Sequence, residues 1–157
     1  KSPKLLIDLL INTVALGGNL IMNVGPTSRG YIDKRAENSL AVYADWMKYN
    51  SRSIYGCTMA ESEFIPPVGT RLTQSEDGSR LYIHLIEYPA TRCLTMRGLA
   101  GKIDYAQFLH DGSEILYRDG SDGFTRVGMD NTGDVVVFNM PVLVGDIIDP
   151  VIEVFLK

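Results

Sequence analysis

The chain is sparing with the residues that most often announce chemistry. It has two histidines, two cysteines and one tryptophan among 157 residues. Cys57 and Cys93 lie far apart without CxxC spacing, so they read as free buried thiols. His84 and His110 have no cysteine or carboxylate at ligand spacing, so neither a metal site nor a cofactor is expected. Lysine and arginine never cluster, and the net charge is −4 with a pI near 5.1. That balance argues against a nucleic-acid partner or an anionic membrane surface. No apolar run approaches the ~20 residues of a membrane-spanning helix. Walker A, GxGxxG and GxSxG motifs are all missing, which removes the common phosphate cradles and the commonest serine nucleophile. The opening Lys1-Ser2-Pro3 is neither an initiator methionine nor a signal peptide, and reads as a cut inside a longer chain.

Hydrophobic residues make up 45% of the sequence, enough for a sizeable core. The organising stretch is Gly17-Gly18-Asn19-Leu20-Ile21-Met22-Asn23-Val24-Gly25-Pro26-Thr27. A short apolar run between turn residues, with helical patterns on both sides, reads as one buried parallel strand. Alternation sets Leu20, Met22 and Val24 on a helix-facing side, and Asn19, Ile21 and Asn23 on the other. The carboxyl end of such a strand, with Asn23, Gly25, Pro26 and Thr27, is where α/β folds hold substrate.

Before it, Ser2 and Pro3 begin a helix with Leu5, Leu6, Leu9, Leu10, Thr13 and Leu16 as its stripe, and Gly17 caps its end. After it, Asp33 caps a second helix to about Tyr49, with a stripe of Ala36, Leu40, Tyr43, Ala44 and Met47 and with Trp46 at one border. Ile54-Tyr55-Gly56 leaves that helix in extended form. From about Met59 the pattern changes to short β-rich runs at 71–74, 81–88, 92–96, 103–109, 115–117, 135–138 and 152–156. Asp77-Gly78, Asp111-Gly112, Asp119-Gly120 and Thr132-Gly133 punctuate them, which predicts an antiparallel sandwich. The acids Asp111, Glu114, Asp119, Asp122, Asp130 and Asp134 lack calcium-loop order and sit beside Gly or Asn, where turns use them. Tyr82, Tyr88, Tyr105, Phe108, Tyr117 and Phe124 could stack on a sugar ring, but strand aromatics more often fill a core. No complete catalytic constellation is legible. Asp8 and Asp33, the carboxylates near the central strand, lie at helix positions away from its carboxyl end.

The Gly17–Thr27 block strongly resembles the retaining α-L-fucosidases of glycoside hydrolase family 29, which carry a Gly-Gly-Asn, apolar, Asn-Ile/Val-Gly-Pro block at the eighth barrel strand. Leu6-Ile7-Asp8 is similar to the family's preceding helix. Trp46, Asn50 and Ile54-Tyr55-Gly56 resemble its exit from the last barrel helix, with Ser51 where the family more often has Gly. Leu81-Tyr82-Ile83-His84-Leu85, Leu99-Ala100-Gly101-Lys102-Ile103 and the closing strand resemble its sandwich. The resemblance implies residues 1–58 as the last βα segment of a (β/α)8 barrel, and 59–157 as an antiparallel β-sandwich. It implies hydrolysis of terminal α-L-fucose with retention, by two carboxyls that lie upstream, so no catalytic residue can be placed on this chain. Asn23, Gly25, Pro26 and Thr27 become the periphery of the fucose pocket. The partners implied are a fucosylated glycan for the full-length enzyme, the amino-terminal barrel segment, and optionally a second copy. Secreted, periplasmic or lysosomal-type placement would be ordinary for such an enzyme. The competing expectation is a non-catalytic β-sandwich module that binds carbohydrate or protein.

Overall fold

The structure is a computed structural model, and it describes residues 1–120, 134–142 and 147–157. Asp122, Phe124, Asp130 and the Thr132-Gly133 turn lie outside the described residues.

Helix α1 spans Pro3–Ala15. The Ser2 hydroxyl accepts from the Leu5 amide at 3.3 Å, and Pro3 occupies the first turn, where its missing N–H costs nothing. At the far end Gly18 N–H reaches Thr13 O and Gly17 N–H reaches Val14 O, both at 2.8 Å. With Gly17 at φ 76° this is a Schellman cap. The buried face is Ile7, Leu10, Ile11 and Val14. The expected stripe is therefore corrected. Leu5, Leu9 and Leu16 are exposed, because α1 is apolar on two sides and only one is covered here.

Helix α2, Lys34–Asn50, starts where the Asp33 carboxylate accepts from the Arg35 amide at 2.8 Å. Ala36, Leu40, Tyr43 and Met47 are half-buried, whereas Ala44 is exposed and Trp46 is among the most deeply buried residues of the helix. Between the helices, residues 18–25 form no strand ladder, contrary to the buried parallel strand expected. The alternation nevertheless holds: Leu20, Met22 and Val24 are half-buried while Asn19, Ile21 and Asn23 are exposed. A strand needs a neighbour to pair with, and among the described residues none lies alongside. Residues 54–56 are a turn, with Gly56 at φ 67°, and not the extended exit expected.

Among the described residues a short 3-10 helix, Ser51–Ser53, is followed by the strands β1 (Cys57–Met59), β2 (Thr70–Ser75), β3 (Arg80–Leu85), β4 (Cys93–Arg97), β5 (Ile103–Phe108), β6 (Tyr117–Asp119), β7 (Val135–Asn139) and β8 (Val151–Leu156). They form a five-stranded sheet in the order β1-β2-β3-β8-β5 and a three-stranded sheet in the order β4-β7-β6. Every pairing is antiparallel. Leu72, Leu81, Ile83, Ile152 and Val154 of the larger sheet meet Leu94, Met96, Val136 and Phe138 of the smaller one in a shared core. The β2–β3 turn uses Asp77 as expected. Its carboxylate accepts from the Ser79 amide and from the hydroxyls of Ser75 and Ser79, which together draw it down to about 2.

The outer face of the larger sheet is covered as well. Tyr82 and Val151 point the other way from Ile83 and Ile152, into a second core with Ile7, Leu10, Ile11, Val14, Trp46 and Ile54. Both helices thus rest on the sheet, and β3 and β8 are buried on both faces. The 58/59 division falls inside β1.

Among the described glycines, Gly98 is the most tightly packed. It holds φ 89°, and a Cβ there would meet the Glu63 carbonyl oxygen at 2.1 Å. Gly98→Ala is expected to destabilise the fold by roughly 2–4 kcal/mol, since strain and a backbone clash add. Urea unfolding checks this; a loss under about 0.5 kcal/mol would show that the 63–64 segment yields freely.

Candidate functional site

The 23–27 region is assembled from local bonds. Thr27 N–H donates to Tyr31 O at 2.7 Å, Gly30 N–H to Thr27 O at 2.9 Å, and Tyr31 N–H to the Thr27 hydroxyl at 3.2 Å. Pro26 bridges Ile32. Gly30, at φ 83°, supplies the left-handed residue the turn requires. Thr27 is thus a loop organiser, and Pro26 sets where the chain turns. An added Cβ at Gly25 meets nothing within 4 Å, so no close approach demands glycine there. Asn23 is exposed and lines a cleft of about 430 Å³ with Leu6, Met22, Gly25, Arg35 and Ser39. The cleft offers the Asn23 amide, the Arg35 guanidinium, the Lys1 ammonium and the single carboxylate of Asp33. It offers no pair of carboxyls for acid/base work.

The nearby acids are already engaged. Asp33 caps α2. Asp8 takes Lys4 Nζ at 2.8 Å, and Lys4 also reaches the buried Asp149 at 2.6 Å. Burial and the Asp8 carboxylate push Asp149 up to about 7, against the pull of Lys4. Asp149 holds φ 40°, rare for a residue with a side chain. Its carbonyl and that of Ile148 accept from Trp46 Nε1 at 3.3 and 3.0 Å. One loop therefore fastens both helices to the sheet.

Two more buried polar groups lie on the outer sheet face. Glu153, 2% exposed, is held by Arg52 at 3.1 Å, Gln107 at 2.7 Å and Tyr82 at 3.3 Å. A carboxylate so fully met is a cross-tie between strands and not a free acid. His84 is completely enclosed, stacked near Trp46 at a ring separation of 6.5 Å. The Thr73 hydroxyl donates to Ser53 O at 2.7 Å, so at 2.9 Å it accepts from His84 Nε2–H. The ring is therefore the Nε2 tautomer, and burial pushes it down to about 3. Cys57, half-buried near Glu76 and Asp77, is a free thiol raised to about 11 and hence unreactive.

Of the acids read as turn residues, Asp111 behaves so, accepting from the Ser113 amide at 2.9 Å, whereas Asp134 accepts at 3.3 Å from the Ala100 amide, 34 residues away, and so ties two distant segments. Of the aromatics, Tyr82 and Phe108 are buried, and Tyr88, Tyr105 and Tyr117 are half-buried. Among the described residues no cluster of three potential ligands could hold a metal. Sequence reasoning missed Glu153 and Asp149. The available signal was a lone acid inside the apolar run Val151–Leu156, which implies a buried charge that needs partners.

Residues 1–52 match the family model described as Alpha-L-fucosidase. An α-L-fucosidase of Dictyostelium discoideum is 43% identical over 55 residues, covering 35% of this chain and 12% of its own length. The human tissue α-L-fucosidase is 25% identical over 114 residues, covering 64% of this chain and 24% of its own. Among solved structures, α-L-fucosidase isoenzyme 1 from Paenibacillus thiaminolyticus superposes with a TM-score of 0.83 at 30% identity, over 100% of this chain and 35% of that one. The relatives are glycoside hydrolases. Within that class residues 1–52 carry the α-L-fucosidase pattern, and the whole chain resembles a carboxyl-terminal portion of such an enzyme. It spans a quarter or less of these curated relatives' length.

Proposed function

We propose that this chain is the carboxyl-terminal portion of a retaining α-L-fucosidase. Residues 1–58 contribute the last βα segment of a (β/α)8 barrel, and 59–157 a β-sandwich that braces it. The hydrolytic carboxyls, about 5–5.5 Å apart in a retaining enzyme, come from the preceding part of the barrel. The substrate is a terminal α-L-fucose on a glycan. Asn23, Gly25, Pro26 and Thr27 lie at the pocket's edge, with Asn23 facing inward and Thr27 ordering the loop.

The observation that carries this reading is the uncovered apolar surface on the fucosidase-like segment. Ile21 is 86% exposed and Leu16 70%, with Leu5, Leu9 and Ile32 also open. A helix apolar on two sides and an extended, unpaired apolar segment both belong inside a larger assembly. The half-buried aromatics of the sheets weigh against a free-standing sugar platform.

The test is a chimera in which this chain replaces the matching carboxyl-terminal part of the Paenibacillus enzyme. Amides of residues 20–24 are expected to exchange with solvent quickly in the chain alone and about a hundredfold or more slowly in the chimera, where strand ladders form on both sides. Equal exchange in both proteins would remove the barrel-strand assignment.

A further inference from the structure

We propose that a second cleft, between the carboxyl-terminal half of α2 and the loops carrying His110 and Ile148, is a sugar-binding subsite distinct from the 23–27 pocket. The cleft measures about 470 Å³, within the range of small-molecule sites. Trp46, Tyr49 and Ile148 form apolar walls, and Asp45, Asn50 and His110 are its polar groups.

Two of those polar groups carry a buried atom with no partner. Asn50 is 4% exposed, and its Nδ2 donates to Trp46 O at 3.0 Å, so its amide orientation is fixed and Oδ1 is left unmet. His110 Nε2 lies 3.5 Å from Asp111 Oδ2, and its Nδ1 is buried without a partner, an acceptor whenever the ring is neutral with its proton on Nε2. Buried acceptors without donors are costly and call for an explanation. Both line the same cleft, beside the Asp45 carboxylate, a third acceptor.

Three acceptors beside an apolar wall call for a ligand with several hydroxyl donors and one C–H face. A pyranose has both. A guanidinium or ammonium group fits less well, because it would meet the like charge of the Lys48 ammonium, which sits 5.1 Å from the Tyr49 ring centre. The choice of a sugar over other polyols rests on the fucosidase reading, but the subsite needs no catalysis by this chain. In a glycosidase it would hold a glycan unit away from the bond being cut.

Trp46 is the only tryptophan in the sequence, so intrinsic fluorescence reports on this cleft directly. The 157-residue chain is titrated separately with 2′-fucosyllactose, lactose, L-fucose and arginine amide. A saturable change with at least one sugar is expected, with a dissociation constant of roughly millimolar order. Tyr49→Ala and Asp45→Asn, both at exposed positions, should each weaken it about tenfold while circular dichroism stays unchanged. No saturable change with any sugar up to about 50 mM would show that water alone meets these acceptors, and would overturn the proposal. So would saturation by arginine amide alone, or variants that bind as the parent does. The two readings fail separately. An active chimera with a silent cleft removes only the subsite; a saturable cleft with an inactive chimera removes only the fucosidase reading.

Discussion

At pH 5 the His84 ring is expected to be neutral, and its contribution to stability is expected to shrink as the pH falls from about 6.5 toward 3. Burial against Trp46 and Thr73 excludes water and holds the folded-state value near 3, whereas an unfolded chain takes up the proton near 6.5. Between those values the unfolded state binds more protons, so acid favours it, by on the order of 4 kcal/mol across the full window. Asp149 works in the opposite sense. Its folded-state value is raised to about 7, so the folded state binds the extra proton between about 3.9 and 7. That term weakens the fold as the pH rises, by roughly 1–2 kcal/mol once solvent screening near Lys4 is allowed for. The two slopes oppose each other between about pH 4 and 6.5. In His84→Gln, which keeps a donor for Thr73, the acid penalty should vanish and stability should fall toward neutral pH. In Asp149→Asn only the acid penalty remains, and stability should climb with pH. Urea unfolding in half-unit pH steps reads both slopes, and proton NMR reads the ring. A His84 resonance titrating near 6.5 would contradict the account, because it would mean that α2 does not seal the outer sheet face.

Local rules made much of the fold readable. Ser2, Pro3, Gly17 and Asp33 marked the helix ends because caps act over three or four residues. Asp77-Gly78 and Asp111-Gly112 marked turns for the same reason. Alternation in 20–24 was also legible, since it depends only on strand geometry. Pairing of that segment was not, because a ladder depends on a neighbour. Helix stripes misled in α1, where Leu5 and Leu9 are as apolar as Ile7 and Ile11, and periodicity alone cannot say which side meets the sheet. The same degeneracy hid the inner and outer faces of β3 and β8, which are buried on both sides. The tie from Asp149 to Lys4 and Trp46, and the cleft shared by Asn50 and His110, join residues distant in sequence that only the fold brings together. The 23–27 loop was singled out from sequence because the Gly-Gly-Asn to Gly-Pro block that proposes it is local.

The second large effect concerns turnover. The chain alone is expected to hydrolyse no α-L-fucoside, because the carboxylates nearest its 23–27 loop are committed elsewhere: Asp8 to Lys4, and Asp33 to the α2 cap. Loss of both nucleophile and proton donor removes the covalent route altogether, an effect of about a millionfold or more. On the proposed reading, in which this chain closes the barrel and shapes the pocket edge around Asn23 and Thr27, supplying an amino-terminal barrel segment should restore the reaction. The decisive measurement is release of the aryl alcohol from an activated aryl α-L-fucoside, by the chain alone and by the chimera with the Paenibacillus amino-terminal segment. Background rate from the chain and clear turnover from a folded chimera is the predicted result. Turnover by the chain alone, or a folded chimera with no activity, would contradict the account.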